Sequence, residues 1–527
     1  MQFTLAHNPN TAMALAPAAV MLLALLIALA WPRPTTGRVT RLWATVNALS
    51  LLALGLTLVG VFLPGTAARS HWLAVTALGG ALAVLVQFLG LVIGVFSARY
   101  MEGEAGQARF VAALAGVLAA VHTLLMADHW LLLIGAWALV GVALQPLLCF
   151  YPDRPFALLA AHKKRLADRL ADAWLLAAAG LAWSSVGSGS LAELFQHVDT
   201  HGASPTLQAS AVLLVLAVVL RLALLPVHGW LIQVMEAPTP VSALLHAGVV
   251  NLGGFVLIRF APLLEHVPLA RGLLVAVGLG TAVLAGLVML TRISIKVRLA
   301  WSTVAQMGFL ALECGLGLYT LAALHLIGHS LYKAHTFLAA SSAVRNTRLQ
   351  TLQTPRQLRA VSLWLAPLVS VSLVLGLQTA ISPGALPWWW ALVLGLAWAP
   401  LLWLPAPTQA HSGRSLRVAV SGLLMVAGLT GLTLLAHWLP LNLQDSPHHA
   451  LGAVALAGMA VLYLGLVLLH TRPSALEAWR RRSYAGFYLD EHHTRLTLWL
   501  WPTRWAPDKR ASHGRPTPPK ASTQLSD

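Results

Sequence analysis

Apolar runs long enough to cross a lipid bilayer recur along almost the whole of this 527-residue chain. A spanning helix needs about 20 mostly apolar residues, and about 15 runs of roughly 17–25 residues meet that requirement. They lie near 11–31, 42–64, 72–97, 109–126, 129–150, 170–187, 207–226, 240–262, 271–291, 299–317, 319–343, 361–380, 387–405, 416–438 and 449–470. Hydrophobic residues make up 58% of the chain and charged residues 10%, with a mean hydropathy of +0.74. This composition excludes an ordinary soluble protein and predicts an all-α polytopic membrane protein.

The basic residues are grouped in alternate loops between these runs. They are Arg33, Arg38, Arg41, Arg154, Lys163, Lys164, Arg165, Arg169, Arg292, Lys296, Arg298, Arg345, Arg348, Arg356, Arg359, Arg414 and Arg417. The loop "GSGSLAELFQHVDTHGASPT" on the other side has no lysine or arginine. Because basic loops stay in the cytoplasm, the net charge of +17 reflects membrane orientation rather than nucleic-acid binding. We expect a bacterial inner-membrane protein with a periplasmic N-terminus and a cytoplasmic C-terminus.

The first run has no charged segment before it, so we interpret it as a spanning helix and not as a cleaved signal. The two cysteines, Cys149 and Cys314, are far apart and indicate neither a disulfide framework nor a thiolate metal site.

One run is interrupted by the polar and proline-rich stretch "APTPVSALLHAGVVN" at 237–251. Each proline removes a backbone hydrogen bond, and non-helical backbone at membrane depth needs protein or a water-filled cavity around it. Arg221 and Glu236 precede the interruption and His246 follows it. Transporters build ion pathways at such breaks, whereas a proline kink that serves packing, with one core histidine, is the alternative. Glu236 is a candidate partner for a cation near the break.

Three ionisable residues occupy the middle of the run "ALHLIGHSLYKAHTFLAASSA". His325, His329 and Lys333 are spaced i, i+4 and i+8, which places them on one helix face. Buried ionisable groups in a membrane are costly and mark ion or proton pathways. A zinc pair at the two histidines is an alternative, but no glutamate of the HExxH kind accompanies them. Lys296 and Glu313, at the two ends of the preceding run, are further pathway candidates.

Three segments carry a resemblance to a known family: "LLPVHGWLIQVMEAPTPVSALLHAGVVNLGGFVLIR", "ISIKVRLAWSTVAQMGFLAL" and "HLIGHSLYKAHTFLAASSAV". They resemble signature segments of the proton-translocating antiporter-like subunits of respiratory complex I and of Mrp antiporters. The resemblance spans roughly residues 75–400. It implies a core of two inverted five-helix repeats with one broken helix each, at 226–250 and within 319–343. It also implies that His246, Lys296, His325, His329 and Lys333 are the relay and exit groups.

The resemblance gives the following division of the chain. Residues 1–108 are N-terminal spans, 109–262 the first repeat, 271–405 the second repeat, 416–470 C-terminal spans, and 471–527 an amphipathic cytoplasmic segment with a disordered basic tail.

The chain departs from that family at charged positions. The usual glutamate of the fifth helix corresponds to Ala138, and the lysine that pairs with it corresponds to Arg221, which cannot exchange protons. Arg221 is therefore expected to act as a fixed charge that tunes its neighbours. The lysine expected within 361–380 is also missing. The usual proton path has been altered.

The C-terminal end is similar to that of the membrane subunits of DAB inorganic-carbon accumulation complexes. That resemblance implies a cation-conducting subunit that is not an enzyme, with no cofactor or metal of its own. The partner would be a large peripheral subunit, called DabA, that resembles a β-carbonic anhydrase, carries zinc and hydrates carbon dioxide to bicarbonate. Tyr488, Asp490 and Glu491 are the candidates for docking that partner.

Two alternatives stay open. One is a subunit of an Mrp-type or complex I-type cation/proton antiporter, and the other is a scaffold that has lost transport. The histidines favour protons over sodium as the ion, because imidazole titrates near neutral pH.

Overall fold

The computed structural model describes residues 9–31, 36–62, 70–340, 358–406, 412–472, 474 and 477–503. The helices are α1 (Pro9–Ala30), α2 (Thr36–Phe62), α3 (Ala77–Tyr100), α4 (Gln107–Leu125), α5 (Trp130–Leu148), α6 (Pro155–Val186), α7 (Leu191–His201), α8 (Pro205–Arg221), α9 (Gly229–Gln233), α10 (Thr239–Ala247), α11 (Leu252–Arg259), α12 (Ala261–Glu265), α13 (Pro268–Met289), α14 (Ile295–Leu316), α15 (Tyr319–Leu338), α16 (Ala360–Ile381), α17 (Trp388–Trp398), α18 (Ser412–Ala436), α19 (His449–Thr471), α20 (Glu477–Tyr484) and α21 (Leu489–Leu500). Short 3-10 turns lie at Val234–Glu236, Val249–Asn251, Ala399–Leu402 and Gly486–Tyr488. Within the described ranges only three isolated β-bridges form, so the all-α class is confirmed.

Eleven helical stretches in the described part of the chain are long and apolar enough to cross a membrane, and one of them, Thr239–Arg259, comprises α10, a 3-10 turn and α11. Each coincides with one of the runs predicted from sequence. The other predicted runs correspond to α6, α8, α15 and α17, which are shorter or carry more polar side chains. The predicted basic tail, residues 504–527, lies outside the described residues.

Two segments that the sequence predicts as loops are helical in the structure. One is amphipathic and the other is rich in charged residues. The loop predicted without basic residues contains α7, whose N-cap is Ser190 and whose acidic first turn suits a helix N-terminus. Helix α6 begins at Pro155 and not near residue 170. Lysines expected in a loop are therefore on a helix.

The run around the proline motif is interrupted repeatedly. Helix α8 ends at Arg221, residues 222–228 are not helical, and α9, α10 and α11 follow as short pieces separated by 3-10 turns. Pro238 is the N-cap of α10 and Pro240 lies in its first turn, where the missing N–H groups cost nothing. Helix α15, by contrast, is continuous from Tyr319 to Leu338. A break in the run 319–343 therefore does not fall within α15, and residues 341–343 lie outside the described part.

Contacts define two ends of the helix bundle. Arg154, the N-cap residue of α6, donates to the carbonyl oxygen of Glu236, and Arg292, after α13, donates to the carbonyl oxygen of Ser483 in α20. We call this the basic face. At the opposite face, Arg259 pairs with Asp128, and the backbone N–H of Thr320 donates to Asp445. The ionisable residues predicted on α10, α14 and α15 lie between these two faces.

Helices α13 and α14 pack closely through two glycines. A Cβ on Gly278 would lie 2.7 Å from the carbonyl oxygen of Gly308, and one on Gly308 would lie 2.8 Å from that of Gly278. Close backbone approach at small residues is a common way to pack membrane helices. It fixes α14, which carries Lys296 and Glu313, against the rest of the bundle.

Candidate functional site

Lys333 is a residue of α15 whose side chain is buried against α14. Its side chain donates a hydrogen bond to the carbonyl oxygen of Leu299 at 3.0 Å and another to the hydroxyl of Ser302, and the residue is 1% exposed. No carboxylate lies within 4 Å of its ammonium among the described residues. A buried cation held only by neutral groups is costly. The unpaired ammonium of Lys333 is therefore a candidate proton carrier.

His329 and His246 are buried near Lys333. His246 is fully buried on α10, its ring stacks on Phe337 at 4.7 Å between centroids, and neither ring nitrogen has a hydrogen-bond partner among the described residues. His329, one turn before Lys333, also has an unpaired Nε2. Asn251 links α11 to this region by donating to the hydroxyl of Ser330 at 2.8 Å. The break around the proline motif therefore brings His246 against α15.

His325 ends this line of groups toward the opposite face. Its Nδ1 lies 2.8 Å from Oε2 of Glu313, which is buried on α14. The His325 and His329 rings are 6.0 Å apart. This is the distance between ring centroids, and the Nε2 atoms of both rings have no hydrogen-bond partner among the described residues. No hydrogen bond therefore joins the two imidazoles directly, and a proton passing between them needs water or a change of rotamer. Glu313, which the sequence predicts as a pathway candidate, is thus paired with His325.

Lys296 lies at the start of α14, near the basic face. Its ammonium donates to the hydroxyl of Thr239 at 3.1 Å, and Thr239 in turn contacts the hydroxyl of Tyr100 at 3.3 Å. The helical rise places Lys296 about 25 Å from Glu313 along α14. The predicted relay residues on α10, α14 and α15 therefore form one line across most of the bundle.

A second cluster of buried charges, not predicted from sequence, surrounds Arg221. Its guanidinium binds Asp172 directly, lies 3.7 Å from Asp168, and donates to the carbonyl oxygen of Trp137 at 3.1 Å. Asp168 also binds Lys164 at 2.5 Å. Two buried cations face two buried carboxylates, so the cluster is close to neutral.

The positions of these acids explain the missing glutamate of the fifth helix. Ala138 is only half-buried, whereas Gly141, one turn later on α5, faces Asp168: a Cβ there would lie 2.7 Å from Oδ2. The acid that neutralises Arg221 comes from α6 instead of α5. The spacing of Lys164, Asp168 and Asp172 at i, i+4 and i+8 is the signal that could have revealed this cluster.

Glu236 is not in the buried line. Its carboxylate lies 3.8 Å from Arg154, and both side chains are about half-exposed. Glu236 thus has a cationic partner, Arg154, and the pair lies at the basic face, apart from the buried groups on α14 and α15. Its place in the ion pathway stays a prediction.

The C-terminal segment folds back on the basic face, where Asp490 is turned inward. Its two oxygens accept from Lys163 at 2.5 Å and from Gln233 at 2.7 Å. Burial, and after it the nearby Lys163 ammonium, lower the pKa of the His493 imidazole. Tyr488 and Glu491 are exposed, so of the three predicted docking residues only these two present their side chains outward.

No group of three or more histidine, cysteine or acidic side chains within the described ranges is arranged to hold a metal ion.

Comparison with known proteins places the chain among membrane transport subunits. Residues 127–403 match the family described as NADH:quinone oxidoreductase/Mrp antiporter, TM. The chain is similar in fold to a chain of the Mrp complex from Dietzia sp. DQ12-45-1b, with a TM-score of 0.60, 22% identity, and coverage of 92% of this chain and 60% of that one. It is a multi-pass membrane protein.

Relatives in sequence include two from bacteria. The "Probable inorganic carbon transporter subunit DabB" of Hydrogenovibrio crunogenus is 38% identical over 480 residues, covering 88% of this chain and 90% of the relative. The "Probable inorganic carbon transporter subunit DabB2" of Halothiobacillus neapolitanus is 42% identical over 301 residues, covering 57% of this chain and 54% of the relative.

Proposed function

Since this chain belongs to the DabB family of inorganic carbon transporter subunits, within the NADH:quinone oxidoreductase/Mrp antiporter group, we propose that it conducts a cation and thereby drives inorganic-carbon accumulation. The observation that carries this proposal is the line of buried ionisable groups. It begins at the Glu313–His325 pair, continues through His329 and His246 to Lys333, and reaches Lys296 near the basic face. Buried ionisable groups in a membrane domain are retained where ions pass.

The ion is a proton, and the carbon chemistry that its flow drives takes place on a second chain. Imidazoles and an ammonium without carboxylate partners exchange protons more readily than they bind sodium, which prefers several oxygen ligands. The partner is a DabA-like peripheral zinc subunit of the carbonic-anhydrase type, and it hydrates carbon dioxide to bicarbonate. Zinc would lie on that partner.

The basic face is cytoplasmic in this proposal, and the membrane is the bacterial inner membrane. Support comes from the arginines and lysines grouped at that face, because basic loops are retained in the cytoplasm. The exposed Tyr488 and Glu491 of the C-terminal segment dock the partner there.

The test is uptake of labelled inorganic carbon by cells that lack carbonic anhydrase and express this chain with the product of its neighbouring gene. We expect uptake to require both chains, to stop with a protonophore, and to stop in Lys333→Ala. Glu477→Gln, which alters an exposed ion pair with Arg481, is the matched control and should retain uptake.

Each contrary outcome has a distinct meaning. Uptake that resists a protonophore and stops with a sodium ionophore would replace the proton with sodium. Absence of uptake while both chains reach the membrane would reject carbon accumulation, and sodium/proton exchange would then be assayed.

A further inference from the structure

An ion pair with a buried lysine is one of the contacts that join the C-terminal segment to the bundle. Lys163 has a fully buried side chain, and its ammonium binds Asp490 at 2.5 Å and the hydroxyl of Thr494 at 2.8 Å, both on α21. Lys163 belongs to α6, more than 300 residues earlier in the chain. A buried lysine is tolerated when it is paired in this way. The pair therefore joins the end of the chain to α6.

Asp490 also joins the C-terminal segment to the broken region. Its second oxygen accepts from Gln233 at the end of α9, and Gly229 at the start of α9 leaves the space that the carboxylate fills. A Cβ on Gly229 would lie 1.4 Å from Oδ1 of Asp490. No other residue type fits there unless the carboxylate moves. One carboxylate thus holds α6, α9 and α21 together.

The neighbours of these contact residues belong to the Arg221 cluster. Lys164 follows Lys163 on α6 and Trp230 follows Gly229 on α9, and the Lys164 ammonium lies 5.1 Å from the centre of the Trp230 ring. Lys164 binds Asp168, which lies 3.7 Å from Arg221 at the end of α8. Displacing Asp490 would therefore move the element that precedes the proline break, together with the charges packed against it.

We propose that Asp490 is a positioning residue that sets α6 and α9 at the basic face, so that the state of the C-terminal segment governs ion flow through the chain. This inference rests on the proposed function, because it names the element that regulates the proposed pathway. Packed elements with two arrangements transmit such changes, whereas an isolated surface contact does not.

The test uses Asp490→Asn, the double variant Lys163→Met/Asp490→Asn, and Glu477→Gln as an exposed control in the same segment. Each is expressed with the partner, and three quantities are measured: inorganic-carbon uptake, proton flux in vesicles from the same cells, and the amount of partner that copurifies. The single variant leaves Lys163 buried without its carboxylate, while the double variant removes both charges.

We expect Asp490→Asn to lower both uptake and proton flux roughly tenfold, the size of a typical coupling between sites, with the partner copurifying at the wild-type ratio. The double variant should recover most of both activities, and Glu477→Gln should match the wild type. A residue that only stabilised the fold would lower the amount of protein in the membrane and not the flux per molecule.

Several results would overturn the inference. They are unchanged flux in Asp490→Asn, a loss of uptake that only follows loss of the partner, and a double variant no better than the single one. If the wild-type pair shows no carbon uptake, the proposed function fails, and the flux of Asp490→Asn against wild type still decides the role of Asp490.

Discussion

Two helices carry ionisable residues at the same spacing, and their surroundings differ. On α6, Lys164 and Asp168 bind each other and Asp172 binds Arg221, so each of these three residues has a partner of opposite charge. On α15, His325 has Glu313, but Lys333 is held by a carbonyl and a hydroxyl alone. Paired buried charges fix geometry, whereas an unpaired one is open to protonation change or ion binding. From this comparison we propose that α6 has a positioning role and that α15 has the transport role.

The largest effect on stability should come from breaking the paired cluster. Asp172→Ala leaves Arg221 with only the more distant Asp168, and removing one partner of a buried pair costs about 3–5 kcal/mol. Thermal unfolding in detergent should show a lower midpoint for this variant. The double variant Asp172→Ala/Arg221→Met should unfold at a higher temperature than the single one, since it buries no uncompensated charge. If the single and double variants unfold at the same temperature, the loss of the Asp172–Arg221 ion pair does not explain the destabilisation.

Replacing the lysine of each helix by methionine should sharpen the comparison. Lys164→Met leaves Asp168 with only the more distant Arg221, and it should lower the free energy of unfolding by about 1–3 kcal/mol. Lys333→Met removes a buried charge without a carboxylate partner, so stability should stay level or rise. The two variants have the same change in side chain and net charge and are each other's control. Destabilisation of the same size in both would mean that the two environments do not differ as described.

The contact between α9 and the C-terminal segment should be sensitive to a single methyl group. Gly229→Ala forces Asp490 out of its place, and overpacking of this kind costs about 1–3 kcal/mol. Limited proteolysis should then cut the C-terminal segment faster than in the wild type. Gly286→Ala on α13, where nothing lies within 4 Å of the new Cβ, is the control and should be cut at the wild-type rate.

The smallest effect is expected at Glu236. Its partner Arg154 is about half-exposed, and exposed ion pairs contribute about 0–1 kcal/mol. Glu236→Gln should leave both unfolding and inorganic-carbon uptake near wild type. A severe loss of uptake would instead show that Glu236 belongs to the ion pathway although it is half-exposed.

The sequence predicted α15 better than α6 for a physical reason. His325, His329 and Lys333 interrupt an apolar run, so their cost is visible in the residues themselves. Lys164 and Asp168 lie in a stretch so polar that it is typical of a loop, and only the fold shows that neighbouring helices cover it. Pairing across helices, such as Arg221 with Asp172, depends on packing that no local pattern encodes.

The same limit explains why the surroundings of Asp490 differ from expectation. Asp490 and Glu491 are adjacent, and amphipathicity alone could not show that the first faces Lys163 while the second faces outward. The spanning helices, by contrast, follow from length and hydropathy, and each predicted run overlaps helix in the described part of the chain, although the run 240–262 is interrupted and α6 begins earlier than predicted. The two inverted repeats stay a prediction.

The most direct measurement is proton flux through the purified complex in proteoliposomes, driven by an imposed membrane potential and followed with a pH-sensitive dye. We predict that Lys333→Ala abolishes the flux, and that Asp172→Asn/Arg221→Met, which alters only the paired cluster, keeps a clearly measurable part of it. Persistent flux in Lys333→Ala together with its loss in the double variant would contradict the assignment of transport to α15 and move the pathway to α6.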